Sequence, residues 1–284
     1  MEQRIAVIGA GTMGSGIAHV AALHGYQVYM IDEKPGVVQT ARVRIHQRLD
    51  REVEKGRLTP SEREAVMDRL IEATWDHVAD AELAIEAVLE IMEVKKAVFQ
   101  TLDRVLGPEA VLATNTSSLS ITEIATTTRR PQNVVGLHFF NPAPVMKLVE
   151  IVRGEETSDD TVQRVQTFAT SINKEAVVVQ KDTPGFIVNR VLMPLFIEAM
   201  RIYEEGIASK EDIDKAIKLG LNHPMGPLTL ADLTGLDVDL NVMDYLFQEF
   251  HDDRFAAPMV LRRLVRAGKL GRKTGKGFYN YDGV

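Results

Sequence analysis

Three features of the 284-residue sequence predict an α/β fold: a doubly wound, mostly parallel sheet followed by an all-helical second domain. An apolar run leads into a glycine-rich turn, further apolar runs alternate with helical patterns as far as Val179, and only helical patterns follow. Strands that alternate with helices form open sheets covered on both faces. The change of pattern at Asp182-Thr183-Pro184-Gly185 predicts two domains, 1–183 and 184–284.

The first strand, residues 5–8, continues directly into Gly9-Ala10-Gly11-Thr12-Met13-Gly14. A G-x-G-x-x-G turn between a strand and a helix is the Rossmann-type fingerprint of a dinucleotide site. Gly9 permits the tight turn, Gly11 lets the backbone approach a pyrophosphate, and Gly14 lets the helix pack closely on the strand. The N–H groups and dipole at the helix start favour the anion.

Asp32 ends the second apolar run, 28–31, at 18 residues after Gly14. A carboxylate at about this offset accepts hydrogen bonds from a ribose diol, and its charge repels a 2′-phosphate, which favours NAD over NADP. Glycine-rich turns are common, so the alternative is an ordinary α/β turn with incidental glycines. The flanking strands and the position of Asp32 favour the dinucleotide.

A helical insertion over 35–71 is predicted next, with one helix over about 35–55 and a second that begins at Thr59-Pro60-Ser61-Glu62. In the rest of the first domain we predict strands at 83–88, 110–113, 134–138, 147–152 and 176–179, and helices at 92–106, 121–126 and 158–172. In the second domain we predict helices at 187–203, 209–220, 238–250 and 258–267.

Composition narrows the class of protein. The formal net charge of −7 does not suggest nucleic-acid binding, and the absence of cysteine excludes disulfides, thiolate catalysis and cysteine-ligated metals. We predict no metal site. The first strand begins almost at Met1, which leaves no room for a targeting peptide, and no apolar run reaches membrane-spanning length. The expectation is a cytoplasmic enzyme that does not bind membranes.

His138 and Glu150 are the candidate general base and its partner. His138 is near the carboxyl end of an apolar strand, where ligands bind in doubly wound sheets, although a lone histidine in such surroundings is often a core residue. Glu150 shares a strand face with Leu148 and Val152, and a buried carboxylate needs a partner such as His138. The alternative is an edge strand with Glu150 in solvent.

Two further polar groups point to the same region. Thr114-Asn115-Thr116-Ser117-Ser118 follows a predicted strand, where hydroxyls can bind a substrate oxygen or a ribose, or can cap a helix. Asn189 is an amide inside an apolar helix predicted over 186–196, so it needs a hydrogen-bond partner, which a cleft between the domains could supply.

Arg44, Arg48, Arg51 and Lys55 follow a 4-3-4 spacing that places four cations on one face of the helix predicted over about 35–55. We number this helix α2 and name the group the α2 cation face. With Glu52 and Glu54 nearby, an ordinary solvated face is the alternative. In an acidic protein such a face could receive a polyphosphate group of a substrate.

Over its whole length the sequence resembles the L-3-hydroxyacyl-CoA dehydrogenase family, and within it the short bacterial 3-hydroxybutyryl-CoA dehydrogenases. The stretches that carry the resemblance are 8–14, 86–90, 115–119, 136–142, 148–151, 182–190 and 271–279. The resemblance implies reversible, NAD-dependent oxidation of a (3S)-3-hydroxyacyl-CoA by a homodimer. A dehydrogenase of a small hydroxy or sugar acid, or a non-catalytic NAD-binding protein, are the alternatives.

The family's functional residues correspond to residues of this chain one by one. By resemblance, His138 is the catalytic histidine, Glu150 its carboxylate partner, and Ser117 and Asn189 contact the 3-oxygen of the substrate. The positions that match NAD contacts, besides the turn and Asp32, are Glu90, Lys95, Ser117, Asn141 and Lys273. Lys55 and Arg48 match positions at which the family contacts coenzyme A, although a relative has serine at the position of Arg48.

Overall fold

A computed structural model describes residues 3–281, and the chain divides into two compact units, 1–183 and 184–284. Among the described residues, the first unit contains an eight-stranded sheet with helices and the second unit is built of helices. The predicted fold class is therefore confirmed. No helix within residues 3–281 combines the length and apolar character that a transmembrane segment needs.

The sheet has the topology of a doubly wound fold. Its strands are β1 (Arg4–Ile8), β2 (Gln27–Ile31), β3 (Leu70–Glu72), β4 (Leu83–Glu86), β5 (Val111–Thr114), β6 (Val134–Phe139), β7 (Leu148–Arg153) and β8 (Glu175–Val179). They lie in the order β3-β2-β1-β4-β5-β6-β7-β8, and every pairing is parallel except the antiparallel pair β6–β7. The order reverses between β1 and β4, so the ligand crevice opens there, at the carboxyl ends of the strands.

Helices cover this sheet. They are α1 (Thr12–Leu23), α2 (Val37–Glu54), α3 (Pro60–Asp68), α4 (Met92–Val105), α5 (Ile121–Ala125) and α6 (Asp159–Ser171). The start of α3 has the predicted capping box: Thr59 Oγ1 accepts from the Glu62 N–H at 3.2 Å, and Glu62 Oε2 accepts from the Thr59 N–H at 2.7 Å.

The predicted helical insertion over 35–71 is wrong at its end. Residues 70–72 form β3, which pairs in parallel with β2 from Val28↔Leu70 to Met30↔Glu72. Leu70 is buried and Glu72 is exposed. A stretch of three residues is too short to show the alternation of apolar and polar residues that indicates a strand. The strand predicted over 83–88 ends at Glu86.

The second unit contains α7 (Val188–Glu204), α8 (Lys210–Gly220), α9 (Pro227–Thr234), α10 (Leu236–Phe250) and α11 (Met259–Arg266). Residues with fully buried side chains form its core: Phe196, Met200, Leu228, Leu236, Met243 and Leu246. The predictions lacked α9. The carboxylate of Asp232 in α9 accepts the N–H groups of Phe278 and Tyr279, each at 2.9 Å, and so attaches the C-terminal segment to the helices.

Candidate active site

The glycine-rich turn between β1 and α1 fits a dinucleotide. Gly9 has a φ of 94°, and a Cβ there would lie 2.6 Å from the carbonyl oxygen of Ala87. A Cβ at Gly14 would collide with the carbonyl oxygen of Gly9, whereas one at Gly11 would meet no heavy atom within 4 Å. Within residues 3–281 no side chain caps α1. The backbone at Gly11 is unobstructed, and the N–H groups at the start of α1 are therefore available to bind an anion.

Asp32 follows β2 directly and lies beside this turn. Its Oδ2 accepts a hydrogen bond from the Ala10 N–H at 2.8 Å, and its Oδ1 accepts one from the Lys34 N–H at 3.0 Å. The side chain is half-buried. Because a carboxylate has about four acceptor positions, Asp32 retains capacity for the hydroxyl groups of a ribose.

A buried ion pair occupies the carboxyl end of β4. Glu86 and Lys95 have side chains 0% and 1% exposed, and Glu86 Oε1 lies 2.7 Å from Lys95 Nζ. Glu86 also accepts hydrogen bonds from the Val88 N–H and the Thr114 hydroxyl, each at 2.7 Å. Buried charges are tolerated when they are paired and hydrogen-bonded in this way. Sequence reasoning missed Glu86 as a site residue, although an acid at the end of an apolar strand was a usable signal.

Glu90 connects this ion pair to the loop after β5. Its Oε2 lies 3.1 Å from Lys95 Nζ, and its Oε1 accepts from the Thr116 hydroxyl at 2.5 Å and the Ser117 N–H at 3.0 Å. Burial alone would raise the pKa of Glu90, but Lys95 and these donors outweigh burial and hold the pKa below its ordinary value. Glu90 is 39% exposed and reaches solvent, while Lys95 lies beneath it and supports it.

The loop over 114–118 is held in place at the same edge of the sheet. The N-cap of α5 is Ser120, whose hydroxyl accepts from the Glu123 N–H at 3.1 Å, so the helix-cap interpretation does not apply to 114–118. Asn115 Oδ1 accepts from the Phe139 N–H at 2.9 Å and joins the ends of β5 and β6. Ser117 is half-buried, with its Oγ 3.4 Å from Glu90 Oε1.

His138 and Glu150 lie directly opposite each other on the antiparallel strands β6 and β7. His138 Nδ1 is 2.8 Å from Glu150 Oε2, and their side chains are 8% and 0% exposed. The alternative that placed Glu150 in solvent on an edge strand is therefore wrong, because β8 pairs with the other side of β7. The carboxylate accepts the Nδ1 hydrogen, which leaves Nε2 as the nitrogen that can exchange a proton.

The α2 cation face is present on the surface. Arg44 and Arg51 are exposed and Arg48 is half-buried, and within residues 3–281 no ion pair joins any of these three to an acid. Lys55 is the C-cap of α2, and its Nζ lies 3.4 Å from Glu52 Oε1. The arginines therefore keep their positive charge available to an anionic ligand.

Three predicted site residues lie on connections or at a helix start. Asn141 is exposed after β6. In the second unit, Asn189 is half-buried and lies inside a helix as predicted, in the first turn of α7, although that helix begins at Val188 and not at residue 186. Lys273 is in a short 3-10 helix, with its Nζ 2.5 Å from Asp237 Oδ1.

Comparison with family models assigns both units. Residues 4–183 match the model described as 3-hydroxyacyl-CoA dehydrogenase, NAD binding domain, and residues 185–281 match the model described as 3-hydroxyacyl-CoA dehydrogenase, C-terminal domain. The two matches together span nearly the whole chain.

Curated relatives and solved structures agree with these matches. The chain is 47% identical over 281 residues to a probable 3-hydroxybutyryl-CoA dehydrogenase of Bacillus subtilis, covering 99% of this chain and 98% of the relative. It is 47% identical over 280 residues to a 3-hydroxybutyryl-CoA dehydrogenase of Clostridioides difficile, covering 98% and 99%. The crystal structure of a (S)-3-hydroxybutyryl-CoA dehydrogenase from Ralstonia eutropha superposes with a TM-score of 0.95 at 41% identity, covering 99% of both chains.

Proposed function

This chain belongs to the 3-hydroxyacyl-CoA dehydrogenase family, and we propose that it catalyses the reversible, NAD-dependent oxidation of a (3S)-3-hydroxyacyl-CoA to the 3-ketoacyl-CoA. The names of its relatives support a short acyl chain, with 3-hydroxybutyryl-CoA as the substrate. The observation that carries the proposal is the buried contact of 2.8 Å between His138 Nδ1 and Glu150 Oε2. It lies at the edge of the sheet that also bears the glycine-rich turn.

In the proposed reaction His138 moves the proton. Its Nε2 accepts the proton of the substrate's 3-hydroxyl group, and Glu150 holds the ring in orientation and stabilises the imidazolium that results. NAD, when bound, would supply the hydride acceptor for C3 of the substrate. In the reductive direction Nε2 returns the proton to the 3-oxygen. Ser117 and Asn189 bind that oxygen and position C3.

The remaining residues hold the cofactor and the coenzyme A portion of the substrate. The glycine-rich turn, with Thr12 and Met13, binds the pyrophosphate, and Asp32 binds the adenosine ribose. Glu90, Asn141 and Lys273 contact the cofactor, and Lys95 acts by fixing Glu90. Arg48 and Lys55 attract the phosphates of coenzyme A. We place the enzyme in the cytoplasm as a homodimer.

Steady-state kinetics with NADH test the proposal. Loss of NADH absorbance with acetoacetyl-CoA is expected to be fast, and a small keto acid or sugar acid is expected to be turned over far more slowly. Comparable or faster turnover of the small acid would favour a hydroxy-acid dehydrogenase. NADH binding without turnover of either substrate would favour a non-catalytic NAD-binding protein.

A further inference from the structure

The carboxyl end of β4 carries more negative than positive charge. Glu86, Glu90 and Lys95 form a contiguous group, here named the β4 acid cluster, in which Lys95 Nζ lies 2.7 Å from Glu86 and 3.1 Å from Glu90. One ammonium group cannot neutralise two carboxylates. If both acids are ionised, the cluster has a net charge of −1.

Among the described residues, Glu86 accepts hydrogen bonds and donates none. Every contact it makes is with a donor: the Lys95 ammonium, the Val88 N–H and the Thr114 hydroxyl. The Thr114 hydroxyl donates to Glu86 Oε2 and itself accepts from the Thr116 N–H at 3.2 Å. A carboxyl group that only accepts is in its charged form.

Glu90 likewise accepts hydrogen bonds from donors. The Thr116 hydroxyl accepts from the Leu119 N–H at 3.0 Å and from the Ser118 N–H at 3.4 Å, which occupy both of its lone pairs, so it donates its hydrogen to Glu90 Oε1. Lys95 Nζ and the Ser117 N–H are donors as well. Both acids of the cluster are therefore acceptors only, and the net charge of −1 stands.

Topology places this charge on the nicotinamide side of the crevice. Asp32 follows β2, on one side of β1, and marks the side of the adenosine ribose. A dinucleotide that crosses the turn after β1 must extend to the opposite side, over β4 and β5. Glu86 ends β4, and His138 lies farther along in the same direction, near the end of β6.

We propose that the β4 acid cluster sets the relative affinity of the protein for oxidised and reduced cofactor, and that Glu86 is a specificity-determining residue in this sense. The nicotinamide ring is cationic in NAD and neutral in NADH, so a nearby net negative charge stabilises NAD relative to NADH. Repulsion of the pyrophosphate is the same for both forms and cancels in the ratio of their affinities. The inference rests on the proposed use of NAD.

Replacement of Glu86 by glutamine tests the proposal. Glutamine preserves the shape and the acceptor toward Lys95, while the cluster becomes neutral. The ratio of the dissociation constant for NAD to that for NADH should rise about five- to tenfold, and a tenfold change is about 30 mV in the potential of the bound couple. NADH fluorescence gives one constant, and displacement by NAD gives the other. Glu93→Gln is the matched control, because that side chain on α4 is 82% exposed and screened by water.

Glu90→Gln is the second variant, because Glu90 is partly exposed and its replacement does not leave Lys95 without its buried partner. The ratio of the dissociation constant for NAD to that for NADH should rise in this variant as well. This measurement tests the proposal even if Glu86→Gln does not fold. An unchanged ratio in folded variants, or equal weakening of both cofactor forms, would overturn the proposal. Failure of the unaltered protein to bind NADH at all would instead contradict the proposed function.

Discussion

The carboxylate of Asp32 accepts a hydrogen bond from the Ala10 N–H and retains acceptor positions for the hydroxyl groups of a ribose. Asp32→Ala should weaken NADH binding about tenfold to a hundredfold, since charge-assisted hydrogen bonds are lost. Affinity for NADPH should fall less or rise, because the charge that repels a 2′-phosphate is removed. Fluorescence titration with both cofactors measures this, with the exposed neighbour Glu33→Ala as control. A preference of the unaltered protein for NADPH would refute the argument.

His138 and Glu150 should behave as one functional unit. His138→Gln should lower kcat about 10²–10⁴-fold with little change in NADH affinity, since a general base contributes that much. Glu150→Gln should lose much of the same rate, and the double variant should lose less than the product of the two losses. If the loss in the double variant equals the product of the two single losses, the 2.8 Å contact between His138 and Glu150 does not serve catalysis.

Part of this site was predictable residue by residue. An acid on an apolar strand face needs a partner, which predicted the pairing of Glu150 with His138. The sequence did not indicate that Lys95 would lie beneath Glu90, paired with Glu86. That pairing depends on how α4 packs beside the end of β4, which no local pattern specifies.

Helix α2 offers a test at the scale of an element. Reversal of Arg48 and Lys55 to glutamate should raise KM for acetoacetyl-CoA about tenfold, because two attractive charges become repulsive. A truncated thioester without the phosphorylated adenosine should be hardly affected. Lys215 and Lys218 on α8, reversed together, provide the control for a change of net charge. Equal effects on both substrates would indicate general damage to α2.

Helix α10 makes stability depend on pH through Asp239. This carboxyl is 2% exposed and contacts the Thr234 hydroxyl, and burial raises its pKa to about 8. The folded chain therefore keeps a proton that the unfolded chain releases near pH 4, so stability falls as pH rises from about 4 to about 8. Asp232, Asp237 and Lys273 are the other charged groups nearby.

Asp239→Asn removes this dependence, since asparagine does not titrate. As pH rises from about 4 to about 8, the urea midpoint of the variant should increase relative to the midpoint of the unaltered protein. The difference isolates Asp239 from histidines and other acids that titrate in both proteins. A difference independent of pH would show that Asp239 has an ordinary pKa.

Elements were predictable where the pattern was long. The strands β1, β2 and β6 and the capped start of α3 have strong local signals. The strand β3 has three residues, and α9 has Asp232 on its buried side, so neither shows the expected alternation or stripe. The strand β3 forms because it pairs with β2, and α9 is held in place by the hydrogen bonds that the C-terminal segment donates to Asp232.

For the whole molecule we predict a dimer through the second unit. The sequence of this unit carries eight large apolar side chains that could supply such an interface: Leu192, Leu195, Phe196, Leu240, Val242, Met243, Leu246 and Phe247. Phe196, Met243 and Leu246 are fully buried in the unit's own core, and of the eight only Phe247 is exposed. The unit instead exposes Val191, Leu219 and Leu221, at 69%, 74% and 59%.

Light scattering measures the assembly directly. The intact protein should have twice the chain mass of 31.6 kDa, because exposed apolar surface of this kind is commonly buried against an identical copy. A chain truncated at Lys181 should be monomeric and inactive. An intact protein that is monomeric and fully active at micromolar concentration would contradict the prediction.

The most direct test of the account is oxidation of the two enantiomers of 3-hydroxybutyryl-CoA with NAD, by the unaltered protein and by His138→Gln. We predict turnover of the (3S) enantiomer, strong preference over the (3R) enantiomer, and loss of that turnover in the variant while NADH still binds. Turnover of the (3S) enantiomer by His138→Gln at the unaltered rate, or no turnover by the unaltered protein, would contradict it.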